Sequence, residues 1–414
     1  MTTWSQTTPG QRKTLLAAAL GWALDAFDVM LYSLVLAHII RDLGMTQSKA
    51  GLLNTLTLLA SGIGGVLFGY IADRIGRKRA LMLSILTYSV CSFASGLATS
   101  VLMLAVFRFI LGLGMGGEWN TGATLVAETW PTNLRAKAIA LVQSSWAIGF
   151  ALAALVTYVV LALTSNWRYV FFAGILPALV TLWIRKDVPE SEMWKERLAA
   201  GQTAAADAPA QASFSEIFSP AYLKSTLALV ALNFFGMFAW WGLFTWVPSY
   251  LSLPVDRGGL GFGEAQKTVL LVALNLTGML PGYASFGWMA DYLGRRKSFI
   301  LYTLLASLLV PIYAMSRDPW TLLLLGTPVA FFGTGFFSGS GIIGSEIYPT
   351  RVRARALGFT YNGARTLSSV APFVIGWIGQ RQGLSGAFMV CAASFFLAAM
   401  AATQLPETKG KSLD

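Results

Sequence analysis

Twelve long apolar runs, separated by charged or turn-forming residues, occupy most of this chain of 414 residues. A helix needs about 20 mainly apolar residues to cross the hydrocarbon core of a bilayer. The runs lie at 14–38, 50–72, 80–98, 101–124, 136–163, 167–185, 223–251, 266–290, 298–315, 319–344, 354–378 and 384–404. The pattern predicts an all-α membrane protein with twelve transmembrane helices.

The charge content excludes several other classes of protein. Only 12% of the residues are charged, against about 25% in soluble proteins, which argues against a water-soluble enzyme. The net charge of +11 comes from short basic clusters between apolar runs, as in the loops that set membrane topology, so we expect no binding to nucleic acid. Cys91 and Cys391 lie singly inside apolar runs, and we expect no metal site.

Two motifs recur at one and the same offset along the chain. The segment Asp73-Arg-Ile-Gly-Arg-Lys-Arg79 returns in the second half as Asp291-Tyr-Leu-Gly-Arg-Arg-Lys297. The segment from Glu128 to Arg135 returns with an identical separation, from Glu346 to Arg353. This repetition predicts a tandem duplication, with two pseudo-symmetric six-helix bundles and a site between them. The predicted segments are a first bundle at 1–185, a cytoplasmic linker at 186–222 and a second bundle at 223–414.

The distribution of basic residues predicts the orientation. Lys and Arg favour one set of loops over the other by about three to one, and that set includes both termini. We therefore expect a multi-pass protein of the plasma (inner) membrane with both termini in the cytoplasm.

The segment from Gly69 to Arg79 resembles the signature of the loop between helices 2 and 3 in the major facilitator superfamily. The helix 4 segment from Arg108 to Trp119 resembles sugar porters and metabolite:proton symporters, and Pro406-Glu-Thr-Lys-Gly410 resembles the end of helix 12 in sugar porters. Asp25-Ala-Phe-Asp28, together with Gly-Gly-Glu-Trp at 116–119, looks most like the sialate and monocarboxylate proton symporters. The resemblance implies transport by alternating access.

Ionisable residues inside apolar runs are candidates for proton coupling, because a lone charge at mid-bilayer costs about 2.5–3.5 kcal/mol on insertion scales. Asp28 lies about 15 Å and Arg108 about 10 Å below the outer ends of their helices at 1.5 Å per residue, so the two can meet. The resemblance to sugar porters also matches them to a coupling pair. The alternative is a permanent structural ion pair. Asp25 lies one turn earlier and either forms an aspartate dyad with Asp28 or is itself the proton site. Glu118 either takes part in proton coupling or forms a packing hydrogen bond to Asn120 or helix 1.

Arg365 is the candidate substrate contact. It lies in a polar stripe on an apolar helix with Tyr361, Asn362, Ser368 and Ser369, and its planar guanidinium suits a carboxylate. Pairing with a backbone carbonyl at a helix break is the alternative. The other predicted substrate contacts are Tyr32, Asn120, Gln143, Asn233, Asn275 and Trp119.

A gating role is predicted for the charged turns at the cytoplasmic face. By resemblance, the turn at Asp73 and Arg77 latches the two halves in the outward-open state, and Asp291 belongs to its second copy. Across the proline turns, salt bridges of Glu128 with Arg135 and of Glu346 with Arg353 would act in the same way. The alternative, that these residues only anchor the loops, leaves the acids without a role.

We therefore expect a secondary transporter and not an enzyme: a proton symporter that imports a small organic anion, a carboxylate. It would need no cofactor beyond the proton, and its partners would be the anion and the bilayer, with the protein a monomer. Two alternatives stay open. One is a neutral sugar or polyol porter, against which Arg365 argues, and the other is a membrane sensor that has lost transport.

Overall fold

The computed structural model describes residues 7–199 and 214–410, and within these residues it contains helices and no β-strand. Backbone in lipid has to satisfy its hydrogen bonds within each segment, which favours helices. The predicted all-α class is thus confirmed. The α-helices of the described residues are α1 Pro9–Asp42, α2 Gln47–Ile75, α3 Arg77–Ser95, α4 Val101–Thr129, α5 Thr132–Thr164, α6 Trp167–Phe172, α7 Leu176–Asp187, α8 Glu192–Ala199, α9 Leu223–Ser252, α10 Glu264–Ala273, α11 Leu280–Leu293, α12 Arg295–Met315, α13 Pro319–Ile347, α14 Thr350–Leu357, α15 Ala364–Ser368 and α16 Ala371–Thr403.

Ten helical stretches of the described chain are long and apolar enough to cross a bilayer. Two further crossings complete the predicted twelve. The first is α3, whose basic start and serines lower its hydropathy. The second comes from α16, which Gly383 divides because its backbone leaves the helical region at φ 77° and ψ 158°, a conformation that favours glycine.

Three of the crossings contain a turn that is not α-helical. A 3-10 turn at Ala173–Ile175 joins α6 to α7. A π-helical segment at Leu274–Met279 joins α10 to α11, and another at Gly358–Gly363 joins α14 to α15. π-Helical segments are rare in proteins and often lie at functional sites.

The chain divides into two compact units. Unit 1 comprises Met1–Ile39 and Leu56–Pro209, and unit 2 comprises Ile40–Thr55 and Ala210–Asp414. The end of α1 and the start of α2 therefore group with unit 2, which the sequence boundaries did not anticipate. Residues 200–213 of the predicted linker lie outside the described residues.

Within unit 1, Gly116 lets α4 approach the backbone of α2. A Cβ atom at Gly116 would contact the carbonyl oxygen of Ser61, whereas a Cβ at Gly69, also on α2, would meet nothing within 4 Å. Small residues allow this close packing of membrane helices. The contact with a backbone atom leaves no flexible side chain that could move aside.

We expect Gly116→Ala to lower the free energy of unfolding by about 1–3 kcal/mol, the usual cost of overpacking. Gly69→Ala is the matched control and should be neutral or slightly stabilising, because alanine is the better helix former. Thermal unfolding of the purified variants in detergent measures both effects. Equal melting temperatures for the two variants would contradict the close approach of α2 and α4.

Candidate functional site

Three carboxyl side chains lie in the interior of unit 1. Asp25 and Asp28 of α1 are 1% and 0% exposed, and Glu118 of α4 is 1% exposed. All three interact electrostatically with Tyr88 of α3. Glu118 Oε1 lies directly against Gly21 of α1, which places it at the contact between helices 1 and 4. Buried charges of this kind are costly unless they are paired or protonated.

The side chain that hydrogen-bonds to Asp28 is Ser92 of α3, whose Oγ donates to Asp28 Oδ1 at 3.0 Å. Gly174, in the 3-10 turn between α6 and α7, closes this site. A Cβ atom at Gly174 would lie 2.7 Å from Asp28 Oδ1 and would also contact Ser92 Oγ. No sequence pattern marks Ser92 or Gly174, because both act through contacts between distant helices.

Arg108 of α4 is fully buried near the same carboxylate. Its charge interacts with Asp28, and its guanidinium carbon lies 4.7 Å from the centre of the Tyr32 ring, a cation–π arrangement. The structure thus places the four residues predicted for proton coupling in one buried core. Tyr32, predicted as a substrate contact, is itself fully buried beside Arg108.

Three tryptophans from three helices form a cluster in unit 1. The Trp22 ring of α1 lies 4.5 Å from the Trp119 ring of α4 and 4.8 Å from the Trp146 ring of α5, measured between ring centres. Gln143 lies one turn before Trp146 and is 7% exposed, and its Oε1 accepts no hydrogen bond among the described residues. Asn120 is half-buried and donates to the Gly65 carbonyl at 3.1 Å.

In unit 2, Asn233 of α9 supports the π-helical segment that precedes Arg365. Its Nδ2 donates to the Thr360 carbonyl at 3.1 Å, and its Oδ1 accepts from Ser340 Oγ at 2.6 Å. Asn275 is likewise buried, and its Nδ2 donates to the Leu271 carbonyl of its own helix at 2.8 Å. Both amides thus have protein partners in this structure, and contact with substrate stays a prediction for them.

Arg365 lies in α15, just beyond that segment, and is half-buried. Among the described residues, no side chain forms an ion pair or hydrogen bond with its guanidinium. Tyr361 is half-buried and interacts electrostatically with Arg365, and Asn362 is exposed. One member of the predicted stripe bonds within the helix instead, since Ser368 Oγ donates to the Arg365 carbonyl at 2.9 Å, and Ser369 is buried.

The duplicated turns form one charged cluster in each unit. Arg77 donates to Asp73 at 2.8 Å and to both oxygens of Glu128 at 3.1–3.2 Å. In the second copy, Arg295 donates to Asp291 at 2.7 Å and to Glu346 at 2.9–3.1 Å.

The predicted pairing of these acids was wrong. Among the described residues, Glu128 pairs with Arg77 in place of Arg135, and Glu346 pairs with Arg295 in place of Arg353, whose Nε donates to the Tyr348 carbonyl at 3.1 Å. Arg77 and Arg295 are the first residues of α3 and α12, and each of these helices packs against the next long helix, α4 or α13, whose last turn carries the glutamate. The gating role itself stays a prediction for all seven residues.

Each cluster also contains a third acid, which was not predicted from the sequence. Glu190 accepts from the Lys78 amide at 3.1 Å and Glu407 accepts from the Arg295 amide at 2.8 Å. Each carboxylate therefore satisfies a backbone donor at the start of a helix, α3 or α12. A signal was present, because Pro189-Glu-Ser191 after the first bundle recurs as Pro406-Glu-Thr408 after the second.

Removing Arg77 should be strongly destabilising. The Arg77 and Glu128 side chains are only 7% and 11% exposed, so Arg77→Ala strands a nearly buried carboxylate, at a cost of about 3–5 kcal/mol. Lys195→Ala is the control, because its partner Glu192 is 72% exposed and such pairs contribute about 0–1 kcal/mol. Thermal unfolding in detergent compares the two, and equal losses would refute a structural role for the cluster.

Comparison with known proteins agrees with this architecture. The sequence profile described as Major Facilitator Superfamily matches residues 18–263 and 251–413. A probable 4-methylmuconolactone transporter of Cupriavidus pinatubonensis is 34% identical over 98% of this chain and 93% of its own length. A sialic acid transporter of Escherichia coli is 33% identical over 95% of this chain and 94% of its own.

Among solved structures, the inward-open xylose transporter of E. coli superposes with a TM-score of 0.77 at 21% identity, covering 97% of this chain and 98% of that one. At this identity the likeness concerns the fold alone. The family profile covers both halves of the chain, and the two transporters compared by sequence align with nearly all of it. The chain therefore belongs to the Major Facilitator Superfamily and is a multi-pass membrane transporter.

Proposed function

We propose that the protein imports a small organic carboxylate together with protons, by alternating access across the inner membrane. The observation that carries proton coupling is the charge balance inside unit 1. Asp25, Asp28 and Glu118 are buried in unit 1, and the charges of Asp25 and Arg108 both act on Asp28. If Asp25 and Asp28 were both ionised, the one Arg108 guanidinium would balance only one of the two charges in a low-dielectric core, so the pair is suited to binding a proton.

Asp28 is the proposed proton carrier within this cluster. The Ser92 hydroxyl can donate to the ionised carboxylate and accept from the protonated acid, so it serves both states without leaving its place. Arg108 stabilises the ionised form through its charge. A conformational change that alters the distance from Arg108 to Asp28 would therefore change proton occupancy.

Arg365 is the proposed partner of the substrate carboxylate. Its guanidinium lies on a membrane helix with no counter-ion among the described residues, an arrangement that is costly unless an anion completes it, and its fork engages both oxygens of a carboxylate. The relative from E. coli named as a sialic acid transporter agrees with an acidic substrate. We further propose that the coupling ion is the proton, that no cofactor is required, that both termini are cytoplasmic and that the protein works as a monomer.

Uptake into proteoliposomes tests the proposal. With the interior more alkaline than the medium, a carboxylate that crosses lipid poorly, such as sialic acid, should accumulate, and a protonophore should abolish the accumulation. Xylose serves as the neutral comparison and should not accumulate. Accumulation of xylose without any carboxylate would favour the sugar porter instead, and accumulation insensitive to the protonophore would overturn proton coupling.

A further inference from the structure

We infer that the cluster of Trp22, Trp119 and Trp146 is a stacking surface for the uncharged part of the substrate, and that it selects a planar, conjugated carboxylate over a saturated one. The inference rests on the proposed carboxylate transport and names its substrate class. It is carried by the arrangement of the three rings, by the helix contacts that hold them and by two buried polar atoms on the same helices that have no partner among the described residues.

The rings are held in place by contacts of their own helices. Ser145 Oγ, next to Trp146, donates to the Ala19 carbonyl of α1 at 2.8 Å. A Cβ atom at Gly149, one turn further along α5, would contact the Ala23 carbonyl oxygen, next to Trp22. The tryptophans of α1 and α5 therefore lie between two close contacts of the helix backbones, which fixes their positions before any ligand binds.

The third ring is fixed in a similar way. Glu118, which precedes Trp119, lies against Gly21, which precedes Trp22. Trp22 and Trp146 are 5% and 3% exposed, whereas Trp119 is half-buried. Trp119 therefore offers the accessible ring of the cluster, and the other two support it from behind.

The distances between the ring centres distinguish a stacking surface from an aromatic cage that binds a cation. A cage for an ammonium group needs rings arranged around an opening. Here the ring centres are 4.5 and 4.8 Å apart, which is direct contact between neighbours. The cluster thus presents an outer aromatic surface, onto which a flat ring or conjugated chain can stack.

Two buried polar atoms on the helices that carry these rings have no protein partner among the described residues. They are the donor Trp22 Nε1 and the acceptor Gln143 Oε1, on side chains that are 5% and 7% exposed. Buried polar groups are normally hydrogen-bonded, so a ligand bearing a ring nitrogen, hydroxyl or carbonyl would satisfy them.

A pair of acids that match in size and charge, one with a planar aromatic ring and one with a saturated ring, tests the inference. Benzoate and cyclohexanecarboxylate have the same number of carbon atoms and the same charge. We expect the purified protein to bind benzoate about three- to tenfold more tightly, the range that aromatic stacking supplies. Trp119→Leu should remove this preference and Trp119→Phe should retain part of it. Trp183→Leu, at a half-buried tryptophan of α7 in the same unit, is the control and should leave the preference unchanged.

The outcomes distinguish this inference from the proposed function. If the parent protein binds both acids equally, or binds sialic acid and neither of them, the stacking surface is wrong while carboxylate transport stands. If it binds no carboxylate at all, the proposed function fails and the inference fails with it. Competition by tetramethylammonium would overturn the inference in favour of a cation site. The preference for benzoate over cyclohexanecarboxylate is measured first on the parent protein. The inference can therefore be refuted even if a variant folds poorly.

Discussion

Replacing Asp28 by asparagine is expected to abolish uphill uptake while leaving substrate exchange intact. The amide mimics a permanently protonated carboxyl group, so the carrier cannot release its proton inside and return empty. Exchange needs no such release, because the substrate returns on the same form. For one proton per monovalent anion, a gradient of one pH unit corresponds to about 1.4 kcal/mol or tenfold accumulation. Asp28→Asn should reduce that ratio to about one.

Proteoliposomes measure both quantities on one preparation. Persistent counterflow shows that the variant is folded, so loss of accumulation can then be assigned to coupling. Ser92→Ala removes the hydrogen bond to Asp28 and should weaken accumulation, whereas Ser95→Ala, which loses only a bond to the Cys91 carbonyl of its own helix, should not. Should Asp25→Asn show the phenotype instead, the carrier lies one turn earlier. Should both aspartate variants still accumulate substrate, coupling through helix 1 is wrong.

Replacing Arg365 by alanine is expected to weaken binding of a carboxylate by about tenfold to a hundredfold, since a hydrogen bond to a charged group contributes about 1.5–3 kcal/mol. Arg365→Lys keeps the charge but loses the bidentate fork, so its affinity should fall between those of the parent and the alanine variant. Folding should be little affected, because the guanidinium has no protein partner among the described residues. Ligand-induced thermal stabilisation of purified protein reports the affinity.

Arg381→Ala provides the control for this prediction. Arg381 belongs to the same C-terminal stretch and carries the same charge, but its guanidinium stacks on the Trp377 ring at 3.9 Å. Comparing benzoate with benzamide sharpens the test, because only the acid offers two equivalent oxygens. The parent and Arg381→Ala should prefer the acid, and Arg365→Ala should not. Equal binding of benzoate by Arg365→Ala and the parent would refute the contact.

The crossings could be predicted from sequence because length and apolarity are local properties. Even the interruption at Gly383 coincides with a gap between two predicted runs, at 354–378 and 384–404. The proximity of Asp28 and Arg108 could also be predicted, because the rise per residue of an α-helix places both side chains at a similar depth in the membrane. Each of these inferences needs only residues of one helix or of two neighbouring ones.

Partners across the fold were harder to predict. Glu128 was assigned to Arg135, in the next turn of the chain, but it pairs with Arg77, which is 51 residues away. Ser92 looks like any helix serine until α3 is placed against α1. The π-helical segments left no signal that we recognised, since their extra residue becomes visible only in the hydrogen bonds of the backbone. These contacts depend on which helices pack against each other, and a single sequence gives little direct information about helix packing.

The π-helical segment Gly358–Gly363 affects the direction in which the Arg365 side chain leaves its helix. Successive residues of an α-helix are rotated by about 100° and raised by about 1.5 Å, and a π turn contains about one residue more. Conversion of this turn to α-helical geometry would swing Arg365 by roughly a quarter of a revolution about the helix axis. The Asn233 amide of α9 donates to the Thr360 carbonyl of this segment. This hydrogen bond opposes the rotation and thereby helps to set the direction of the Arg365 guanidinium.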